Sequence, residues 1–161
     1  AADAAACLCL AAADVRTDAH APVHASVGLP FLVVEIGALE ALSRARFDVP
    51  ALERVMAATR TEGVYAYFID PATGEWRARM FAPLLGVPED PATGSATCAA
   101  IALRASLAGG ADGERHWRVR QGVEMGRPSE LRGRTVRRDG KVEEVYVSGG
   151  AVEVMRGTLE A

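Results

Sequence analysis

The amino-acid sequence predicts a single α+β domain, on the basis of its length, its apolar content and the order of its predicted elements. Its 161 residues suffice for one ordinary domain, and 50% of them are hydrophobic, which is enough to form a core. After one apolar helix, the chain shows a series of short strand patterns without a helix between each pair. This order favours an α+β fold over an array of βαβ units.

The first half of the chain carries strand and helix patterns in turn. The apolar, β-branched run LPFLVVEI (29–36) predicts a strand. Apolar positions at helical spacing over 38–60 predict two short amphipathic helices, and Pro50 suits the start of the second. Strands are predicted over 63–69 and 75–81. Beyond the apolar helix, further strands are predicted over 116–122, 130–138, 142–149 and 151–157.

Charge and cysteine content exclude several classes of function. The 18 basic and 21 acidic residues give a net charge of −3 and are mixed along the whole length, so nucleic acid is not an expected partner. Cys7, Cys9 and Cys98 lack C-x-x-C spacing, which favours a reducing cytoplasm over a disulfide framework or a zinc site. We therefore expect a cytoplasmic protein.

Neither a membrane segment nor a metal site is expected near the start of the chain. The alanine-rich stretch 1–15 has no basic region and is far shorter than a membrane span, so it resembles neither a signal peptide nor an anchor. His20 and His24 are four residues apart, but Pro22 between them argues against the helix that would bring both to one face. We predict no metal ligands here.

The pentapeptide DPATG occurs twice, and only the second copy suggests chemistry. The first copy, 70–74, joins two predicted strands, and its Asp, Pro and Gly each favour a tight turn. A hairpin loop explains it completely. The second copy, 90–94, precedes a predicted helix over 95–107 that is apolar on nearly every side. Such a helix is expected to be buried, with its start opening into the protein.

The start of this buried helix is a candidate site for a carboxylate. Unpaired backbone N–H groups and the helix dipole attract an anion there. Gly94 leaves room for close approach, and the Ser95 hydroxyl adds a donor. Burial and the neighbouring Glu89 favour the protonated form of Asp90, whereas the helix dipole favours its ionised form, so Asp90 suits proton exchange. The residues leave one alternative open, in which Asp90 is an N-cap and Ser95 an ordinary polar residue.

Three segments closely resemble the phenazine-biosynthesis PhzF-like isomerase family: RMFAPLLGVPEDPATGSATCAA, QGVEMGRPSEL and VYVSGGAVEVMRGTL. The resemblance runs from about Gly28 to the end of the chain and matches the C-terminal half of the family. It implies that 1–27 is an interdomain segment or the remnant of a preceding N-terminal domain, and that 28–161 is a C-terminal PhzF-like domain. The implied fold is diaminopimelate-epimerase-like, a mostly antiparallel sheet wrapped around a central apolar helix.

The resemblance also implies an activity and its residues. Characterised members isomerise a small cyclic carboxylic acid by acid/base proton transfer, without metal or organic cofactor. Asp90 maps to an aspartate in the family's active site, and Gly94 and Ser95 map to the pair that helps to hold the substrate. Family analogy further implies a homodimer.

Two departures from related enzymes limit this transfer. The family's proton-transferring Glu and its Gly-His pair belong to the N-terminal domain, and Glu35, Glu62 and Glu89 do not stand in matching context. We therefore expect an N-terminal domain or a second chain to complete the active site. Thr93 stands where amino-acid epimerases of this fold carry a cysteine, and its hydroxyl is far too weak an acid to replace a thiol. Cys98, one turn further, is expected to be a buried structural thiol.

A second hypothesis comes from another class of protein. A lone domain of this kind can act as a non-catalytic module that binds a small carboxylic acid, or that associates with itself through the surface normally facing a partner domain. The segment around Gly126, Arg127 and Pro128 is interpreted as a structural turn.

Overall fold

The computed structural model describes residues 1–59 and 61–159. Arg60, Glu160 and Ala161, which the predicted segments 38–60 and 28–161 include, lie outside the described residues. The α-helices of the described part are α1 (Ala2–Cys7), α2 (Leu39–Arg44), α3 (Val49–Thr59) and α4 (Gly94–Ala108). The strands are β1 (Val23–Ser26), β2 (Pro30–Glu35), β3 (Gly63–Ile69), β4 (Trp76–Ala82), β5 (Val87–Asp90), β6 (Gly113–Gln121), β7 (Ser129–Arg138) and β8 (Lys141–Gly149).

The described strands form one eight-stranded sheet in the order β1-β2-β3-β4-β6-β7-β8, and β5 pairs with β4 beside this path. The pairing is mostly antiparallel, with parallel contacts between β2 and β3 and between β4 and β6. The β4–β6 contact covers only the pairs 76↔119, 77↔120 and 78↔121. This short parallel seam joins β1–β5 to the β6–β7–β8 meander.

The sheet curls around α4, which contacts strands on both sides of the seam. The concave face packs against α4 in one apolar cluster, while α1, α2 and α3 cover the other face in a second cluster. The approach between α4 and β7 is close because Gly133 has no side chain: a Cβ there would lie 2.5 Å from Cδ1 of Ile101. The helix therefore fills the inside of the curved sheet.

The burial of α4 matches the sequence prediction over most of its length. Ala96, Ala99, Ala100 and Ile101 are each at most 1% exposed. The last turn differs, because Leu107 is 51% exposed where the helix leaves the sheet. The start of the helix, not its end, is the part enclosed by the protein.

Most predicted elements are confirmed, but the predicted strand over 151–157 is wrong. Residues 150–159 have no regular secondary structure, and Val152, Val154 and Met155 are each at least 84% exposed. The physical reason is that no described strand pairs with the outer edge of β8, so the alternating pattern lacks the hydrogen bonds that would hold it extended. Two short strands, β1 and β5, were not predicted.

The start of the chain packs with the rest of the fold. Ala5, Cys7 and Leu8 are nearly fully buried in the cluster beneath α2 and α3, and β1 pairs antiparallel with β2. The division into 1–27 and 28–161 stays a prediction. Across the described ranges 1–59 and 61–159, no helix has the length and apolar character needed to cross a membrane.

Candidate active site

The start of α4 lies beside the end of β5, which places Asp90 at the entry to the helix. β5 runs antiparallel to β4 with Asp90 opposite Met80, and Met80 belongs to the apolar cluster around α4. Since side chains in a strand alternate between faces, Asp90 and Glu89 point to opposite sides of the sheet. Only Asp90 is on the side of α4.

Glu89 forms a buried ion pair on the far side. Its Oε1 and Oε2 accept hydrogen bonds of 2.8 and 2.9 Å from Nε and Nη2 of Arg79, which is 3% exposed. The remaining Arg79 nitrogen, Nη1, donates to the carbonyls of Leu42, Ser43 and Ala45 at the end of α2. The expectation that Glu89 acts on Asp90 is therefore wrong, because strand alternation separates the two carboxylates and Arg79 holds one of them.

A buried amide fixes the loop between β5 and α4. Gln121, at the end of β6, is 0% exposed, and its Nε2 donates to the Asp90 carbonyl at 2.7 Å and to Oγ1 of Thr93 at 2.9 Å. Its Oε1 accepts from the Thr93 backbone N–H at 3.2 Å. Thr93 Oγ1 in turn donates to Oδ2 of Asp90 at 2.6 Å. The loop is thus held by side chains from both motifs of the sequence.

The two motifs also meet through their backbones. Gly122 has φ 75°, and a Cβ there would lie 2.8 Å from the Pro91 carbonyl oxygen. The Arg127 N–H donates to the Gly122 carbonyl at 2.8 Å, which closes the turn that the sequence predicted around Gly126. The QGVEMGRPS turn therefore supports the EDPATGS loop directly.

The first turn of α4 offers free backbone donors, as predicted. Thr93 is the N-cap residue, yet its side chain makes no capping hydrogen bond. Within residues 1–59 and 61–159, the N–H groups of Gly94, Ser95 and Ala96 have no hydrogen-bond acceptor. The alternative in which Asp90 is the N-cap residue is wrong, because Thr93 occupies that position and the Asp90 carboxylate accepts a hydrogen bond from the Thr93 hydroxyl.

Gly94 has a packing role that sequence reasoning did not anticipate. A Cβ at this position would lie 3.2 Å from Cγ1 of Val147 in β8, closer than an ordinary van der Waals contact. The glycine thus lets the start of α4 approach β8. The role given to Gly94 in holding a substrate stays a prediction.

A cavity of about 280 Å³ opens at this helix start and brings Asp90, Ser95 and Thr93 together with Glu62. Glu62 directly precedes β3, and its backbone N–H is anchored to the Pro30 carbonyl at 2.8 Å. The other walls are apolar, formed by Leu29, Phe31, Met80, Ala82, Leu85 and Val87. A cavity with apolar walls and a few convergent polar groups is typical of a small-molecule site.

The three glutamates considered from the sequence lie in different environments. Glu35 is 3% exposed and bound by Nη1 of Arg104 at 3.1 Å and by the Tyr67 hydroxyl at 3.2 Å, so it is a structural carboxylate. Glu89 is held by Arg79. Glu62 alone of the three lines the cavity. No motif marks it in the sequence, and only the fold brings it near Asp90.

The remaining candidate groups are distant or inert. Cys98 is only partly buried, not fully buried as expected, and this burial raises the pKa of its thiol, which disfavours the reactive thiolate. His20 Nε2 lies 2.7 Å from the Tyr67 hydroxyl, whereas His24 Nδ1 lies 3.0 Å from Oγ1 of Thr61, so the two rings have separate partners. In the part of the chain that the structure describes, no cluster of three potential metal ligands occurs.

Comparison with known families decides the relationship of the chain. The profile of a family described as "Phenazine biosynthesis-like protein" matches residues 1–157. The chain belongs to this family. Its sequence is 36% identical over 142 residues to trans-2,3-dihydro-3-hydroxyanthranilate isomerase of Pseudomonas chlororaphis, and 32% identical over 160 residues to an uncharacterized isomerase of Mesorhizobium japonicum. These alignments cover 87% and 96% of the chain and 45% and 53% of the relatives.

Solved structures support the same assignment of fold. A Bacillus anthracis phenazine biosynthesis protein of the PhzF family superimposes with a TM-score of 0.73 at 17% identity, covering 88% of this chain and 52% of that one. A predicted epimerase from Pseudomonas aeruginosa gives 0.67 at 30% identity, with coverages of 95% and 51%. The diaminopimelate-epimerase-like fold predicted from the sequence is therefore confirmed. The chain spans about half the length of the curated relatives it matches.

Proposed function

We propose that this member of the phenazine biosynthesis-like isomerase family contributes one side of the active site of an isomerase that moves a proton on a small cyclic carboxylic acid. One observation carries the proposal: Asp90 and Ser95 line a single cavity at a helix start whose first three N–H groups have no acceptor among the described residues. The relatives named as trans-2,3-dihydro-3-hydroxyanthranilate isomerases give the substrate class.

The helix start recognises the substrate carboxylate. Three backbone N–H groups at Gly94, Ser95 and Ala96, the Ser95 hydroxyl and the positive end of the α4 dipole all favour an anion at the same place. The apolar walls of the cavity hold the ring of the substrate and exclude water, which strengthens these hydrogen bonds.

Asp90 performs one half of the proton transfer. Isomerisation removes a proton from one position of the substrate and adds a proton at another, so it needs an acid and a base but no redox group. Asp90 supplies one of these groups within reach of the bound ring. An N-terminal domain or a second chain completes the active site with the second group, and the whole protein is a cytoplasmic homodimer that needs no cofactor.

The test uses the complete protein that contains this chain, incubated with trans-2,3-dihydro-3-hydroxyanthranilate in D₂O and followed by NMR. Asp90→Asn should lower kcat by about 10²- to 10⁴-fold, the usual range for an acid/base residue, while the melting temperature stays unchanged. Asp70→Asn is the matched control, because Asp70 occupies the same position in the first DPATG copy. Equal activity of Asp90→Asn and Asp70→Asn would overturn the proposal.

A non-catalytic or self-associating module is the second candidate, favoured by the exposed apolar rim of the cavity. Leu29 and Leu85 are 51% and 57% exposed beside it, and Val87 is 40% exposed. Such a rim suits a surface covered by another domain or chain. Sedimentation of the 161-residue chain shows whether it dimerises, and a binding titration shows whether it binds a carboxylic acid. Either result supports the module if the complete protein also shows no turnover.

A further inference from the structure

The buried amide of Gln121 can have only one orientation. Its Nε2 faces two acceptors, the Asp90 carbonyl and the Thr93 hydroxyl oxygen, while its Oε1 faces the Thr93 N–H. A flipped amide would place oxygen against the carbonyl and N–H₂ against N–H, which would lose these bonds at a side chain that is 0% exposed. The direction of the hydrogen bonds is therefore determined.

This orientation determines where the Thr93 hydroxyl proton points. A hydroxyl group has a single proton, and Oγ1 of Thr93 already accepts from Gln121. The proton is therefore donated to Oδ2 of Asp90, 2.6 Å away. Oδ2 is therefore an acceptor when Asp90 is ionised, and a proton on Asp90 lies on Oδ1 as long as Thr93 donates to Oδ2.

The other carboxyl oxygen has a different environment. Within the described residues, Oδ1 of Asp90 accepts no hydrogen bond, and it is not among the side-chain atoms sealed from solvent. Asp90 lines the cavity together with Ser95, and Glu62 is the other ionisable side chain on that wall. Oδ1 is thus the oxygen that is open to a ligand.

We propose that Gln121 and Thr93 are positioning residues that reserve Oδ2 of Asp90 as an acceptor and make Oδ1 the atom that exchanges the proton with the substrate. This inference rests on the proposed function. When Asp90 acts as the acid, the O–H bond at Oδ1 breaks, the new bond to the substrate forms, and the electron pair stays on the carboxylate. The Thr93 hydrogen bond then stabilises the negative charge, since hydrogen bonds to charged groups are the stronger ones. The second group releases to water the proton that it removed from the substrate, and a proton from water restores Asp90 before the next turnover.

Variants of Thr93 in the complete protein test the inference. Thr93→Val keeps the shape and removes the hydroxyl, and it should lower kcat about ten- to hundredfold with little change in KM. Without the donor, the ionised form of Asp90 is less stable, so the limb of the kcat–pH profile that depends on Asp90 should move to higher pH. Thr93→Ser, which restores the hydroxyl, should recover both properties. A merely structural role would not move the pH profile.

Gln121 is tested through a double-mutant cycle. Gln121→Met should lower kcat in the same way, and the double variant with Thr93→Val should be no slower than the slower single variant, because both act through one chain of hydrogen bonds. Full additivity of the two losses would overturn the inference. If Asp90→Asn is inactive while Thr93→Val has wild-type kcat and pH profile, only this inference fails. If Asp90→Asn is fully active, the proposed function fails.

A measurement on the unmutated protein tests the inference even if the variants do not fold. By NMR, the Thr93 hydroxyl proton should exchange slowly with water and be shifted downfield. Thr73, the equivalent residue of the first DPATG copy, is exposed and provides the internal control. Equally fast exchange of both hydroxyl protons would overturn the inference.

Discussion

Arg79 and Glu89 form an ion pair with two hydrogen bonds, on the face of β5 opposite to Asp90. Arg79 is 3% exposed, and its guanidinium joins β5 to the carbonyls that end α2. Two adjacent carboxylates, Glu89 and Asp90, therefore have separate roles: one holds the fold together, and the other faces the cavity.

Glu89→Gln should destabilise the protein without changing the chemistry. Removing one partner of a buried ion pair leaves the Arg79 charge uncompensated, which costs about 3 kcal/mol of unfolding free energy. Denaturant unfolding measures the loss. Assays well below the melting temperature should show kcat near that of the wild type, in contrast to Asp90→Asn, and a kcat loss as large as that of Asp90→Asn would contradict the separation of roles.

Ser95→Ala should weaken substrate binding more than turnover. In the proposed site, the hydroxyl group is one of several donors for the carboxylate, so its removal should raise KM about fivefold to tenfold, in line with the loss of one hydrogen bond to a charged group. Ser106→Ala, near the exposed end of the same helix, is the matched control and should leave KM unchanged. Steady-state kinetics give KM for both variants, and equal KM values would contradict the role of the Ser95 hydroxyl.

Glu62→Gln tests the glutamate that only the fold reveals. We expect Glu62 to bind a donor group on the substrate ring, so that the variant raises KM by about tenfold with kcat almost unchanged. Glu40→Gln, on the exposed start of α2, serves as the control. A kcat loss beyond a hundredfold would instead identify Glu62 as a proton-transferring group.

Gly133→Ala should destabilise the fold through a defined clash. The new methyl group would lie 2.5 Å from Cδ1 of Ile101, and overpacking of this kind costs about 1–3 kcal/mol. Ile101→Val removes that carbon atom, so the double variant should be more stable than Gly133→Ala alone. Thermal unfolding of the three variants measures the coupling, and simple additivity would contradict the contact.

Tyr65 should make the protein sensitive to alkaline pH. Burial raises the pKa of Tyr65 well above its ordinary value of 10.0, and its hydroxyl bonds Oγ1 of Thr97 at 3.0 Å. The folded state therefore favours the neutral phenol. Its stabilising effect is fully present below pH 10.0 and is lost as the pH rises from there towards the folded-state value, because the unfolded chain releases the proton first.

Urea unfolding at pH 8 and at about pH 11 measures whether the free energy of unfolding falls as the pH rises. Wild-type stability should fall by up to about 1.4 kcal/mol per pH unit for this tyrosine, and Tyr65→Phe should remove that part of the decline. Tyr146→Phe, at a residue that is 45% exposed, is the comparison and should retain the part of the decline that comes from Tyr65. An identical pH dependence in wild type and Tyr65→Phe would contradict the role of burial.

The sequence predicted those features that local patterns encode. The buried helix start, the hairpin at the first DPATG and the meander strands all follow from periodicity and turn residues. β5 escaped prediction because its four residues, Val87–Asp90, contain a proline and no long apolar run. The strand expected over 151–157 failed because a strand needs a neighbour, which alternation alone cannot supply.

The site was predictable where its residues are consecutive and not where they converge from distant segments. Asp90 and Ser95 belong to one motif, so their proximity follows from the turn between them. Glu62 and Gln121 reach the same place through β3 and β6, and no local spacing in the sequence encodes that meeting. Glu89 was misjudged because its partner Arg79 lies on a neighbouring strand.

The parallel seam between β4 and β6 has a consequence for the order of folding. β6, β7 and β8 are joined by short turns and can pair early, since contacts close in sequence form fastest. The seam spans only three residue pairs, and its last pair, Ala78↔Gln121, delivers the Gln121 amide to the loop before α4. In a refolding experiment on the complete protein, the proposed activity should therefore return only with the slowest docking phase, after most secondary structure has formed.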